Sequence, residues 1–334
     1  MNLKISACVL ISFLIAFSIF SYVMFLPTNK IQAETPLPLN EDYYLSVQQD
    51  FFSKIDPYEK NVFIIGSSYI MALNTTQIHN YLALNDKDYQ IYNLSIFGDG
   101  IKKRATTIDM IISAKPEVVV YGITEDDFSD PIPVNTLSAK PTSILPDPHE
   151  FFHVGFDMIE NHLKLNFPDS PKAVTWVNLR QIMGTGADHE KYSPYPGSPF
   201  MKISSANTVT ISDLELKNQV AYLGPFGQIK PPQNNPYLKS LKQVLDKLKE
   251  NNIKVVLFVV PHHNYLLSKA PPEYEETFDF ILKDIEEKYE LNVYKRNLGY
   301  SDLPIWHDLS HVAVNKKSQP FSDDVAKMIQ DVVG

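Results

Sequence analysis

The chain has 334 residues, 44% of them apolar and 21% charged, with a formal net charge of −9 and a single cysteine, Cys8. That length suits one large α/β domain or two small ones, and the composition excludes disordered and collagen-like classes. The acidic balance argues against a nucleic-acid surface, which needs clustered Lys and Arg, and the lone Cys8 excludes disulfides, Cys-based zinc sites and Cys nucleophiles in the body of the protein.

Ile5 to Leu26 is a nearly unbroken apolar run preceded by Lys4. As a helix it would be roughly 33 Å long, enough to cross a hydrocarbon core. A secretory h-region is usually shorter, roughly 7–15 residues, so residues 1–26 read as an uncleaved transmembrane anchor. Cleavage near Ala33, with secretion of the remainder, is the alternative. Either way the main domain is expected outside the cytoplasm, and Lys4 on one side with Glu34, Glu41 and Asp42 on the other agrees with that orientation. Residues 27–55, with Pro27, Pro36 and Pro38, read as a tether. Asn74-Thr-Thr76 and Asn93-Leu-Ser95 are glycosylation sequons, but Asn93 sits at a strand end where a glycan would block the neighbouring loop.

From residue 56 the chain alternates. Val62–Ile65 is the first expected strand, followed by Gly66-Ser67-Ser68 and a helix that includes Gln77–Leu84. Tyr89–Leu94 is the second strand, and Ile101, Ala105, Ile108 and Ile112 mark a helix over Ile101–Ser113. Glu117–Tyr121 is a third strand ending in Gly122-Ile-Thr124-Glu125. Strand and helix in alternation predict an α/β fold, a parallel sheet covered by helices.

The rhythm stops between about residues 129 and 235, where more than half of the prolines lie. His149–Phe167 and Lys172–Met183 have helical spacing, but a structureless connection this long is improbable inside a compact domain. The stretch reads as an inserted cap over the active edge of the sheet. Alternation returns with a helix from Pro236, a strand over Lys254–Val260, and Pro261-His-His-Asn264 at its end. A helix from Pro271-Pro272 to Lys288, a short strand over Leu291–Tyr294 and a final helix from about Pro320 to Val333 complete five strands.

In open α/β sheets ligands bind beyond the carboxyl ends of the strands, so a serine just past the first strand is a candidate nucleophile. A serine hydroxyl needs a base to take its proton, and a carboxylate to hold that base in one tautomer. Asp308-Leu-Ser-His311 offers such a pair. The Gly-x-Ser-x-Gly elbow is absent, since Tyr69 and Ile70 follow Ser68.

These blocks, in this order, resemble the SGNH (GDSL-type) hydrolase family of esterases, lipases, acetylesterases and surface-glycan acyltransferases, including its membrane-anchored members. Gly66-Ser67-Ser68 resembles the first block, Asn93 followed by Gly98-Asp99 the second, and Asp308-Leu-Ser-His311 the last. The resemblance implies a three-layer sandwich with a five-stranded sheet in flavodoxin-like order. It also implies a catalytic triad of Ser68, His311 and Asp308, and an oxyanion hole from the Ser68 and Gly98 backbone N–H groups. The third block departs: the family commonly has Gly-x-Asn-Asp where this chain has Gly122-Ile-Thr124-Glu125. Thr124 is then the third oxyanion donor, shorter than an amide and in need of a bridging water.

The expected function is an extracytoplasmic serine esterase or O-acyltransferase acting on acyl esters, acetyl foremost, of surface glycans. The expected partners are the membrane, through the N-terminal helix, and an acylated carbohydrate or small ester. No cofactor, metal or nucleic acid is expected. The alternative is a catalytically lapsed domain of the same kind that acts as a cell-surface binding module. His307 and His311, four residues apart, would share a face as metal ligands only on a helix, which Pro304 and the loop context disfavour. His262 and His263 read as substrate contacts or solvated loop residues. His149, His153, His162 and His189 form no ligand-like group.

Overall fold

The computed structural model describes residues 48–130, 191–192, 195–203 and 206–334. The expected anchor at 1–26, the tether as far as residue 47, and the helical segments at His149–Phe167 and Lys172–Met183 lie outside the described residues. Among the described residues, no helix is long and apolar enough to cross a membrane.

In chain order the elements are β1 (Asn61–Ile65), α1 (Thr75–Ala83), β2 (Gln90–Asn93), α2 (Ile101–Ser113) and β3 (Val118–Ile123). After them come β4 (Lys191–Tyr192), β5 (Lys202–Ile203) and α3 (Asp213–Val220). The last group is α4 (Pro236–Glu250), β6 (Lys254–Val259), α5 (Asn264–Leu267), α6 (Pro272–Tyr289), β7 (Val293–Lys295) and α7 (Gln319–Val333). The main sheet has five strands in the order β2-β1-β3-β6-β7, every pair parallel. This is the flavodoxin-like order that the resemblance implies. β1 and β3 are buried along their whole length, as parallel strands covered on both faces must be, which explains their uninterrupted apolar sequences.

Right-handed crossovers fix which helix covers which face. The β1-to-β2 connection runs one way along the sheet and the β2-to-β3 connection the other, so α1 and α2 fall on opposite faces. α7 packs on α1 and α4 on α2, giving three layers. The helices are built for this. Asn74 caps α1 by accepting from the Gln77 N–H, and Asn235 caps α4 by accepting from the Tyr237 and Leu238 N–H groups. Leu238, Leu241, Val244, Leu245 and Leu248 make the buried stripe of α4, and Phe321, Val325, Met328 and Ile329 that of α7.

Two details differ from the sequence expectations. β3 runs on to Ile123, so Gly122 lies inside the strand rather than in the loop after it. A side chain there would meet Ile70 at 2.8 Å, Val260 at 2.9 Å and Phe258 at 3.1 Å. Gly122 is therefore a close-packing position and not a breaker. In the insertion, the described residues hold structure of their own: a two-stranded antiparallel ladder of β4 and β5, and α3, capped by a Ser212–Glu215 capping box. This segment is tied to the C-terminal loops. Ile211 N–H donates to the Trp306 carbonyl at 2.9 Å, and Leu309 N–H to the Gln219 side chain at 3.2 Å.

Candidate active site

The parallel register brings the carboxyl ends of β1, β2, β3 and β6 to one edge, with Ile64 opposite Asn93, Ile65 opposite Tyr121 and Ile123 opposite Val259. The turn after β1 is set by Gly66, whose φ of +149° is rarely adopted by other residues, and whose missing Cβ leaves room for the Gly122 carbonyl. Ser68 then opens a 3-10 turn, Ser68–Ile70, and is 8% exposed. The turn is held from β2. Asn93, fully buried, donates from Nδ2 to the Ile70 carbonyl at 2.9 Å and accepts from the Ser95 N–H at 3.2 Å. Burial of this amide also closes the second sequon to a glycan.

Ser68 Oγ lies 3.0 Å from His311 Nε2, although 243 residues separate them in the chain. His311 comes from the loop before α7, where a Trp306–Val312 bridge and an Ala313-to-Ile305 hydrogen bond of 2.8 Å make a tight return. Its Nδ1 is 3.0 Å from both Asp308 carboxylate oxygens. Asp308 Oδ1 also accepts from the backbone N–H groups of Ser310 and His311, each at 2.7 Å. Burial alone would raise the Asp308 pKa. His311 and those two N–H groups outweigh it and hold the carboxyl below the usual range. An ionised Asp308 accepts from Nδ1–H, so Nε2 is the nitrogen left to accept from Ser68. His307 donates its N–H to the His311 carbonyl at 2.9 Å. The two histidines thus face each other across a turn, and the helical spacing that would pair them as metal ligands does not exist.

Of the three oxyanion donors expected from the sequence, two have unengaged backbone N–H groups. Among the described residues neither the Ser68 N–H nor the Gly98 N–H has an acceptor. Gly98 sits at φ +62° with open space around it, and the Ile96 N–H-to-Gly66 carbonyl bond of 3.2 Å brings its loop alongside the Ser68 turn. Thr124 differs. Its O–H and N–H both donate to Asp127 Oδ2, at 3.2 and 2.8 Å, so its single hydroxyl proton is engaged within its own loop. Asp127 is pushed up to about 7, chiefly by burial, with Asp126 and Asp99 adding to it and the Thr124 hydrogen bonds opposing it.

His262 and His263 are not solvated, contrary to one of the two sequence readings; they are 2% and 3% exposed. His262 Nδ1 is 3.5 Å from Glu125 Oε2, in ion-pair range but long for a hydrogen bond. Burial lowers the His262 pKa, but Glu125 and then Asp126 and Asp127 outweigh it and raise the pKa above the ordinary value. Tyr69, the residue after Ser68, stacks on the His311 ring at 4.8 Å between centroids and 28° between planes. It also meets His262 at 5.0 Å and 74°. Burial first, then the carboxylates of Asp126, Asp127 and Asp308, hold the Tyr69 phenol far above its usual range, so it stays neutral. Glu125 and Tyr69 thus lie against the candidate site without having been singled out in the sequence, and His262, weighed there as a substrate contact, is buried beside them instead. A signal for Glu125 and His262 was present: they follow β3 and β6, and strands adjacent in a parallel sheet must bring such loops together.

No family model matches the chain, and no curated protein sequence matches it either. Solved structures do. The chain is similar to TesA, at 13% identity and a TM-score of 0.40, over 81% of this chain and 99% of that one. It is similar to an acetyl xylan esterase, AlAXEase, at 12% identity and a TM-score of 0.38, over 82% of this chain and 100% of that one. It is also similar to a psychrotrophic esterase, EstA from Pseudoalteromonas sp., in a structure inhibited by monoethylphosphonate, at 14% identity and a TM-score of 0.39, over 82% of this chain and 97% of that one.

Proposed function

We propose that the chain is a serine esterase or O-acyltransferase acting on acyl esters, acetyl foremost, of surface glycans. The observation that carries this reading is the line from Ser68 Oγ to His311 Nε2 to Asp308, with 3.0 Å at each step. A serine hydroxyl aimed at the accepting nitrogen of a carboxylate-held imidazole is the arrangement that general-base activation requires.

In this reading His311 Nε2 takes the hydroxyl proton as Ser68 Oγ bonds to the ester carbonyl carbon, and the carbonyl electron pair moves onto its oxygen. The ionised Asp308 balances the imidazolium that forms. The Ser68 and Gly98 N–H groups are the donors for the oxyanion. Collapse breaks the bond to the alcohol oxygen, which takes the proton back from His311. Water then attacks the acyl-enzyme, or a glycan hydroxyl does, giving its proton to His311; the bond from the acyl carbon to Ser68 Oγ breaks, and Oγ takes that proton back. The glycan substrate rests on the sequence resemblance. The extracytoplasmic, membrane-tethered placement rests on the apolar run of residues 5–26.

The test is labelling of the full-length protein by a fluorophosphonate, with hydrolysis of acetylated oligosaccharides measured alongside, in wild type and Ser68→Ala. The expected result is loss of both in the variant. Unchanged labelling would remove Ser68 as the nucleophile. A second reading, a catalytically lapsed binding module, is favoured by one observation: the Thr124 hydroxyl is engaged by Asp127 rather than open toward the site. It predicts a wild-type protein that binds acetylated glycan without hydrolysing it.

A further inference from the structure

Behind the Ser68–His311–Asp308 line lies a group of buried side chains that the proposed chemistry does not use. Glu125 and His262 are each 2% exposed. One residue holds both: Asn297 donates from Nδ2 to Glu125 Oε1 at 3.2 Å, and its carbonyl accepts from the His262 N–H at 2.9 Å. His262 Nε2 has no hydrogen-bond partner among the described residues, and its ring packs against Tyr69. A buried ion pair of this kind is a weak source of stability, since an apolar pair of similar volume often does as well. Its position therefore matters more than its energy. One ring away is the candidate base.

We propose that Glu125, His262 and Tyr69 form a positioning relay that fixes the plane of the His311 ring, so that Nε2 stays aimed at Ser68. The inference rests on the proposed nucleophile and base. Asp308 holds the imidazole by one edge, at Nδ1, which leaves the ring free to swing out of plane. The Tyr69 face closes that freedom from the side. Because Tyr69 follows Ser68 directly, the same contact ties the base to the nucleophile's own turn. The ring face is also the electron-rich side of Tyr69, favourable to the imidazolium formed when His311 takes the proton. His262 meets Tyr69 at a steep angle and stops that ring from rotating, and Glu125 with Asn297 keeps His262 in place.

The test is a double-mutant cycle on the full-length protein, read as the rate of fluorophosphonate labelling and separated into probe binding and the bond-forming step. Tyr69→Leu and Glu125→Gln should each slow the bond-forming step by about three- to tenfold, the range of an aromatic contact, with probe binding unchanged. The double variant should be no slower than Tyr69→Leu alone, because both act through one ring. Tyr69→Phe, which keeps the stacked ring, should label at close to the wild-type rate. Multiplicative losses in the double variant, or wild-type labelling by Tyr69→Leu, would overturn the relay. Should Tyr69→Leu fail to fold, Tyr69→Met takes its place; should Glu125→Gln fail, His262→Ala, which removes the ring against Tyr69, does. Labelling that Ser68→Ala abolishes but the relay variants leave unchanged refutes the relay alone. Absence of labelling in the wild type refutes the nucleophile and the relay with it.

Discussion

Replacing Asp308 by Asn isolates the charge of the candidate triad from its shape. Asp308 Oδ1 accepts from the N–H groups of Ser310 and His311 at 2.7 Å, and an asparagine keeps those bonds only if its carbonyl oxygen takes that place. Its NH2 group must then occupy the position of Oδ2, 3.0 Å from His311 Nδ1, while the carbonyl oxygen, also 3.0 Å from Nδ1, has both lone pairs taken by the two backbone N–H groups. An NH2 group donates, so Nδ1 becomes the acceptor and the imidazole proton moves to Nε2. There it points at Ser68 instead of receiving its proton. In Ser-His-Asp triads this inversion costs about 10⁴ in rate, roughly 5 kcal/mol of barrier at about 1.4 kcal/mol per decade. Fluorophosphonate labelling and ester hydrolysis by Asp308→Asn should fall by about 10³–10⁴, with the loop still formed because both backbone bonds survive. Activity within about tenfold of wild type would refute the tautomer argument. The stability side has a definite sign. The folded Asp308 pKa lies below the ordinary value of about 3.9, so its contribution is present above that pH and vanishes as pH falls through the folded value. The gap in melting temperature between wild type and Asp308→Asn should therefore narrow in strong acid.

Three further outcomes follow from the same geometry. Thr124→Val should lower ester hydrolysis by less than about fivefold, whereas loss of a working oxyanion donor costs roughly 10²–10³; a loss in the larger range would mean that the hydroxyl leaves Asp127 during turnover. Asp127 has a folded pKa of about 7, above its unfolded value, so the folded state retains a proton that the unfolded chain has released. Stability should then fall as pH rises from about 4 to about 7. Melts of Asp127→Asn should show a gain over wild type that is absent near pH 4, grows across this window to about 1–2 kcal/mol, discounted because Asp127 is only half-buried, and is level above it. A gain independent of pH would contradict the shift. Gly66→Ala places a Cβ 2.8 Å from the Gly122 carbonyl at a φ of +149°, and calorimetry should show a loss of about 1–3 kcal/mol or more.

Much of the scaffold is legible in the sequence because parallel strands buried on both faces are nearly pure apolar runs, and because asparagines and prolines punctuate the helices. Gly122 misleads for a physical reason: a glycine inside an apolar run reads as a break, while here it admits Ile70, Val260 and Phe258 to one crowded point. Ser68, Asp308 and His311 can be singled out because each stands at one end of a recognisable block. Their separations are properties of the folded chain. The pairing of Glu125 with His262 escapes for the opposite reason. Each is a polar residue in a polar loop, where exposure is the ordinary expectation, and only the adjacency of β3 and β6 makes them a pair. Tyr69 is hidden by its neighbour, since a residue beside a candidate nucleophile carries no mark of the ring it will cover.

The placement of Ser68 after the first strand and His311 before the last helix has a consequence for the making of the protein. Contacts that span 243 residues form late, because the loop-closure entropy is lost before such contacts reward it. A nascent chain shorter than about 311 residues carries the serine without its base. Its hydroxyl is then an ordinary alcohol, inert toward esters, through all of synthesis and most of folding. If the proposed chemistry holds, reactivity is conferred by the docking of the final segment, and a prematurely ended chain is silent by construction.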